Sequence, residues 1–115
     1  MKIMDKRINF KDLKSIEEVK FFPDMVKVVV DIEAKIIAVS AELHSDLEEV
    51  LIESGCEQKN LYGINIYYDD GEIEFDSAIN PPRNRDAGYP RVGRYVACPD
   101  ARAKIEEVVH LWIDY

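Results

Sequence analysis

The stretch that decides the fold spans residues 25–41 and reads MVKVVVDIEAKIIAVSA. In its first half, Val26, Val28 and Val30 share one parity and Lys27 and Asp31 take the other, which is the period of a half-buried β-strand. The apolar alternation resumes at residues 37–41 after the polar residues 33–35, so the sequence predicts a β-hairpin. One long helix is the alternative, but β-branched side chains lose rotamer freedom in helices, and this stretch is rich in them.

A second hairpin is predicted around Asp70-Gly71, between two apolar runs. Both residues tolerate the positive φ that a two-residue type I′ turn requires. That turn length pairs Ile66 with Phe75 and Tyr67 with Glu74, which puts apolar side chains on one face of the hairpin. The other face is expected to meet water or a ligand.

Three helices are predicted around these hairpins. Asn9 can cap a first helix that runs to about residue 20. Ser45 starts a capping box for the second helix, and Gly55 ends it. Pro99 suits the first position of a final helix. Residues 80–98, rich in Asn, Pro, Arg and Gly, form a long loop.

The predicted fold class is therefore α+β. It comprises an antiparallel sheet of two β-hairpins, with a short strand at residues 3–8 as an optional addition, and three helices mainly on one face. A chain of 115 residues fits one domain spanning residues 1–115.

Composition favours a soluble cytoplasmic protein that does not enter a membrane. No apolar run is long enough for a membrane span or a signal peptide. Only Cys56 and Cys98 are present, and we expect both to be free thiols. The net charge of −8 makes nucleic acid an unfavourable partner.

The first candidate site is the sequence ELHSD at residues 42–46. Glu42 and His44 leave the same face of an extended chain, and Asp46 follows at the start of the predicted helix. Two carboxylates and an imidazole could hold a divalent metal or exchange a proton. The structural alternative is that Asp46 stabilises the helix start and His44 forms a local hydrogen bond. We expect no cofactor, with a divalent metal as the only option.

The second candidate site is polar and partly basic. Residues 81–104 hold six basic and two acidic residues, so an anion would be favoured only in this segment. Arginines can clamp a phosphate or carboxylate, or they can pair with the chain's own acidic residues. The anion-binding candidates are Arg83, Arg85, Arg91 and Arg94, and the polar-pocket candidates are Asn65, Asn80 and Asn84.

The order of four segments carries a resemblance. MVKVVVDIE at 25–33, ELHSD at 42–46, LYGINIY at 61–67 and IEFDSAIN at 73–80, followed by Asn84-Arg85, are similar to a family of short prokaryotic proteins of unknown function. The similarity covers roughly residues 5–110. It implies a small cytoplasmic prokaryotic protein and no catalytic roles.

The favoured function is a small, non-catalytic binding or interaction protein, with a small anionic ligand as an option. The first alternative is a metal-dependent or acid/base hydrolase that uses the residues of the ELHSD segment with an arginine clamp. The weaker alternative is a nucleic-acid accessory protein. A homodimer is also predicted, because helices on one face would leave the opposite sheet face uncovered. The apolar side chains of that face are Met25, Val29, Ile36, Ala38 and Tyr67.

Overall fold

The computed structural model describes residues 1–16, 21–77, 79 and 94–115. Five strands form an antiparallel sheet in the order β1-β4-β3-β5-β6, and β2 pairs with β7 in a separate parallel ladder. The predicted α+β fold class is confirmed. The strands and α-helices are β1 (Lys2–Ile3), β2 (Ile8–Asn9), β3 (Met25–Asp31), β4 (Ile36–Val39), α1 (His44–Glu53), β5 (Leu61–Tyr67), β6 (Ile73–Glu74), α2 (Pro99–Trp112) and β7 (Ile113–Asp114).

The first hairpin is confirmed as β3–β4, with Asp31 opposite Ile36. Its four-residue turn needs no glycine because Asp31 organises it. The Oδ1 atom of this buried carboxylate accepts the backbone N–H groups of Glu33 at 2.9 Å and Ala34 at 2.8 Å. Lys35 closes the turn with a φ of +58°.

The second hairpin lies at the predicted place, but its predicted register is wrong by two residues. Ile66 pairs with Ile73, not with Phe75. The turn is longer than predicted, because the N–H of Gly71 bonds to the carbonyl of Tyr67 and the N–H of Tyr67 bonds to the carbonyl of Glu72. A shift of two keeps each side chain on its predicted face.

Strand β6 ends at Glu74 because the chain then takes a new partner. The N–H of Ser77 bonds to the carbonyl of Arg94, the N–H of Val96 bonds to that of Phe75, and Asp76 forms a bridge with Tyr95. The end of the predicted 80–98 loop is therefore sheet-like at residues 94–96. Residues 80–93 lie outside the described part of the chain.

Helix α1 begins two residues earlier than predicted, and the capping box at Ser45 is wrong. Leu43 is the N-cap, and no side chain caps the helix start. The predicted end is confirmed: Gly55 follows the helix with a φ of +108°, and the N–H of Cys56 bonds back to the carbonyl of Leu51.

The predicted N-terminal helix is a 3₁₀ segment at Phe10–Ile16 in the described residues, and residues 17–20 lie outside them. Asn9 belongs to β2 and is not a cap. An apolar residue at every third position suits this geometry, because residues i and i+3 eclipse in a 3₁₀ helix. Leu13 is fully buried as a result.

The two faces of the sheet carry different helices. Helix α2, which starts at Pro99 as predicted, and the N-terminal 3₁₀ segment pack on the face of Val28 and Val30. Helix α1 packs on the opposite face, where Val29 and Ala38 are fully buried. The expectation that helices leave this second face uncovered is therefore wrong, and with it the argument on which the homodimer rested.

Two smaller expectations can be compared with the described residues. Cys56 and Cys98 are free, as predicted. No helix in the described ranges has the length and apolar character needed to cross a membrane.

Candidate functional site

The ring of His44 lies directly against strand β5. His44 is the first residue of α1, and its side chain is only 2 % exposed. A Cβ placed on Gly63 would be 2.9 Å from both Cγ and Nδ1 of the ring. Glycine is therefore the residue that lets α1 and β5 approach with an imidazole between them.

The hydrogen bonding of His44 fixes its tautomer. Its Nε2 atom is 2.8 Å from the carbonyl oxygen of Ile64, which can only accept, so Nε2 carries the proton. The Nδ1 atom is then an acceptor in the neutral ring. It is buried and has no hydrogen-bond partner in the described structure.

Burial keeps this imidazole neutral. Loss of solvent lowers the pKa of His44 from its ordinary value of 6.5, and the Ile64 carbonyl opposes that shift. The positive charges of Lys27 and Arg94 lower this pKa further, while Asp76 raises it. A lone pair on Nδ1 is thus the chemically relevant feature of the ring.

Asn65 lies two residues along β5 from Gly63, so its side chain is on the same face as the His44 ring, about 7 Å further along the strand. The sequence predicted that this face meets water or a ligand, and in the structure Asn65 is 2 % exposed. Its Nδ2 donates to Oε1 of Glu74 at 2.7 Å, which sets the orientation of the amide. Its Oδ1 is a second buried acceptor that lacks a partner in the described structure.

We call His44 Nδ1 and Asn65 Oδ1 the acceptor pair. A buried acceptor without a donor costs roughly 1–3 kcal/mol, so native proteins rarely keep one. Two of them on one sheet face form the most distinctive polar feature of the described residues.

The hydroxyl of Ser77 borders the acceptor pair but is fully occupied. Its Oγ accepts the N–H of Gly63 at 2.9 Å and donates to the carbonyl of Ile79 at 3.0 Å. With its only proton committed, this hydroxyl neither donates to His44 nor acts as a nucleophile activated by it.

The structure does not assemble the ELHSD residues into one site. Glu42 is exposed, Asp46 is half-buried in the first turn of α1, and His44 is turned to β5. Within the described ranges, no group of three His, Cys, Asp or Glu side chains is placed to hold a metal ion. His44 is thus buried against β5, whereas the two carboxylates that flank it in sequence are exposed or half-buried.

Of the four arginines predicted to bind an anion, Arg94 is the one that lies in the described part of the chain. Its Nε and Nη2 atoms reach the two carboxylate oxygens of Asp76 at 2.8 and 3.1 Å, a bidentate pair. This is the alternative in which an arginine pairs with the chain's own acidic residue. The candidates Arg83, Arg85, Arg91, Asn80 and Asn84 lie outside the described residues.

A groove of about 520 Å³ adjoins Asn65 at the edge of the sheet, and we call it the β6 groove. Glu74 connects the two, since it lines the groove and its carboxylate bonds to Asn65 and, at 3.2 Å, to the hydroxyl of Tyr67. Three further carboxylates and one guanidinium are among the lining groups that the structure describes. They belong to Asp69, Asp70, Glu72 and Arg102.

The sequence singled out His44 and Asn65 as candidates, but it did not predict that the His44 ring packs against the strand that carries Asn65. Gly63 carried the missing signal, because a glycine inside a strand often marks close approach of another group. Its partner could not be read locally, since His44 is 19 positions away in the chain.

Comparison with known proteins adds family membership. A family model described as a protein of unknown function (DUF5674) matches residues 2–111. Neither the curated proteins nor the solved structures gave a match. Since the family model spans nearly the whole chain, the chain belongs to this family of unknown function.

Proposed function

We propose that this chain is a non-catalytic binding protein for a small polar ligand. The proposed site is the sheet face at the acceptor pair, with the β6 groove as its entrance. The acceptor pair is the observation that carries the proposal. A ligand that donates to both atoms recovers the free energy that the ligand-free fold loses there.

The dimensions of the region support a small ligand. Sites for small molecules typically have volumes of about 300–1,000 Å³, and the β6 groove lies within that range. Both acceptor atoms are buried beneath the described surface. The part of the ligand that reaches them must therefore be slender and enclosed.

Binding fits the geometry better than acid/base catalysis. A hydrolase of this kind needs a nucleophile beside its general base, and Nδ1 of His44 has no hydroxyl or thiol within hydrogen-bond distance in the described structure. Ser77 is hydrogen-bonded to other partners, and Glu42 is exposed. The hydrolase alternative therefore lacks a positioned nucleophile among the described side chains.

A fragment screen followed by NMR tests the proposal. In the ¹⁵N-labelled full chain, at least one polar fragment should shift the amide signals of Gly63, Ile64 and Asn65 together. The same fragment should lose this effect in Asn65→Leu and keep it in Glu49→Gln, which changes an exposed residue of α1. Fragments that perturb only signals elsewhere would argue against this site.

We also propose that the protein is of prokaryotic origin, that it is cytoplasmic and that it forms a homodimer. With the second sheet face covered by α1, the dimer has its support in exposed apolar side chains such as Leu43, Ile52 and Leu111. Light scattering at micromolar concentration tests it, and the mass of one chain would refute it.

A further inference from the structure

We propose that the first turn of helix α1 is a latch that a proton opens. When the ring of His44 takes up a second proton, residues 42–46 leave strand β5 while the rest of the helix stays docked. We call residues 42–46 the entry turn. This opening is independent of the ligand site described above, because it needs no ligand.

One side chain holds the entry turn to the sheet. Within residues 42–46 the side chain of His44 is buried, that of Asp46 is half-buried and the other three are exposed. No described side chain caps the start of the helix. The ring donates from Nε2 to the carbonyl oxygen of Ile64 at 2.8 Å and lies against Gly63. The contact between the entry turn and β5 therefore depends on this imidazole.

The chain on both sides of the entry turn is fixed by burial. Ala41, which precedes it, is 3 % exposed, and Leu47, which follows it, is fully buried. Leu51, one turn further along α1, is fully buried as well, and both leucines belong to the core cluster that includes Val29. Opening is therefore limited to the residues between Ala41 and Leu47, and the hydrophobic contacts of α1 with the sheet remain.

The surroundings of Nδ1 suit a neutral ring and oppose a protonated one. This atom of His44 is buried and has no hydrogen-bond partner in the described structure. A proton on Nδ1 would make it a charged donor without an acceptor, which costs more free energy than the neutral lone pair left there. In water the same group is hydrogen-bonded, so protonation favours the conformation in which the ring is outside.

Charged groups from several elements act on the same ring. Lys27 of β3 and Arg94 disfavour a second positive charge, whereas Asp76, already in a bidentate pair with Arg94, favours it. The ring also belongs to the first residue of α1, at the positive end of the helix dipole, where a cation is unfavourable. The flanking carboxylates of Glu42 and Asp46 form no hydrogen bond with it. Burial is the largest cause of the lowered pKa of this imidazole, so a falling pH favours the open form, in which the ring is exposed.

NMR spectroscopy of the ¹⁵N,¹³C-labelled full chain tests the latch between about pH 7.5 and about pH 4.5, a range that brackets the ordinary pKa of histidine. The ring signals of His44 report its protonation, and the ¹³Cα shifts of residues 44–46 report the helical turn. As the ring takes up its proton, these shifts should lose more than half of their deviation from random-coil values, with the same midpoint. The amide signals of β3 and α2 should keep their native dispersion.

The two histidines of the chain give a matched pair of variants. His44→Gln removes the titrating group and keeps a side-chain N–H donor for the carbonyl of Ile64, so its entry turn should show no transition over this pH range. His110→Gln changes an exposed residue of α2 and should behave like the parent chain. A transition at the same pH in His44→Gln would assign the opening to another group and overturn the proposal. If His44→Gln does not fold, the ring and backbone midpoints of the parent chain decide.

Three results in the parent chain would also overturn the latch. A protonated ring with helical shifts retained at residues 44–46 would show that the closed form accommodates the charge. Loss of the native signals of β3 and α2 together with those of the entry turn would show that the whole fold opens as one unit. A ring that stays neutral down to about pH 4.5 would show that no proton reaches it in this range.

Discussion

The imidazole of His44 takes the space that a side chain at position 63 would need: a Cβ on Gly63 would be 2.9 Å from the ring's Cγ and Nδ1 atoms. Gly63→Ala should therefore destabilise the fold by about 1–3 kcal/mol, because a buried ring must shift to admit the methyl group. Urea unfolding measures the loss. In a His44→Ala background the same substitution should cost clearly less, and an equal cost in both backgrounds would disprove the contact.

Acid should destabilise the protein through His44. Burial lowers the pKa of this imidazole below 6.5, the value it regains in the unfolded chain, so below pH 6.5 the unfolded state binds a proton that the folded state resists. The free energy of unfolding should thus fall as the pH drops from 7.5 toward 5. His44→Gln should reduce this pH dependence. An unchanged dependence would show that other groups cause it.

The turn at Gly71 depends on glycine for two reasons. Its φ of +74° is unfavourable for other residues, and an added Cβ would collide with the ring of Tyr115. Gly71→Val should cost about 1 kcal/mol or more from backbone strain alone. Thermal unfolding of Gly71→Ala in the parent and in a Tyr115→Ala background separates the terms. In the Tyr115→Ala background, the part of the stability loss that comes from the collision should vanish, and the part that comes from backbone strain should remain.

The turn of the first hairpin should depend on the carboxylate of Asp31. Asp31→Ala removes the acceptor of two backbone N–H groups and should cost about 1–3 kcal/mol, whereas Asp31→Asn keeps an acceptor oxygen and should cost less. Chemical denaturation measures both. Equal losses would assign the role of Asp31 to its charge instead of its hydrogen bonds.

Local sequence signals predicted the elements whose geometry is decided by neighbours in the chain. The alternation around Val28 predicted β3, and Gly55 and Pro99 correctly predicted an end of α1 and the start of α2. Each of these features follows from backbone preferences or from burial of one face, both of which act over a few residues.

Features that depend on distant partners were missed. β6 is short because residues 75–77 pair with residues 94–96, and the covered second sheet face depends on where α1 docks. The predicted grouping of the ELHSD side chains met the same limit. Glu42, His44 and Asp46 are close in sequence, but His44 takes its partner from β5.

A crystal structure of the full chain with a bound fragment that shifts the amide signals of Gly63, Ile64 and Asn65 tests the proposed ligand site most directly. A donor atom of that fragment should lie within about 3 Å of Oδ1 of Asn65. A fragment bound elsewhere, with the Lys27 ammonium or a single water bonded to Asn65 Oδ1, would contradict the proposed site.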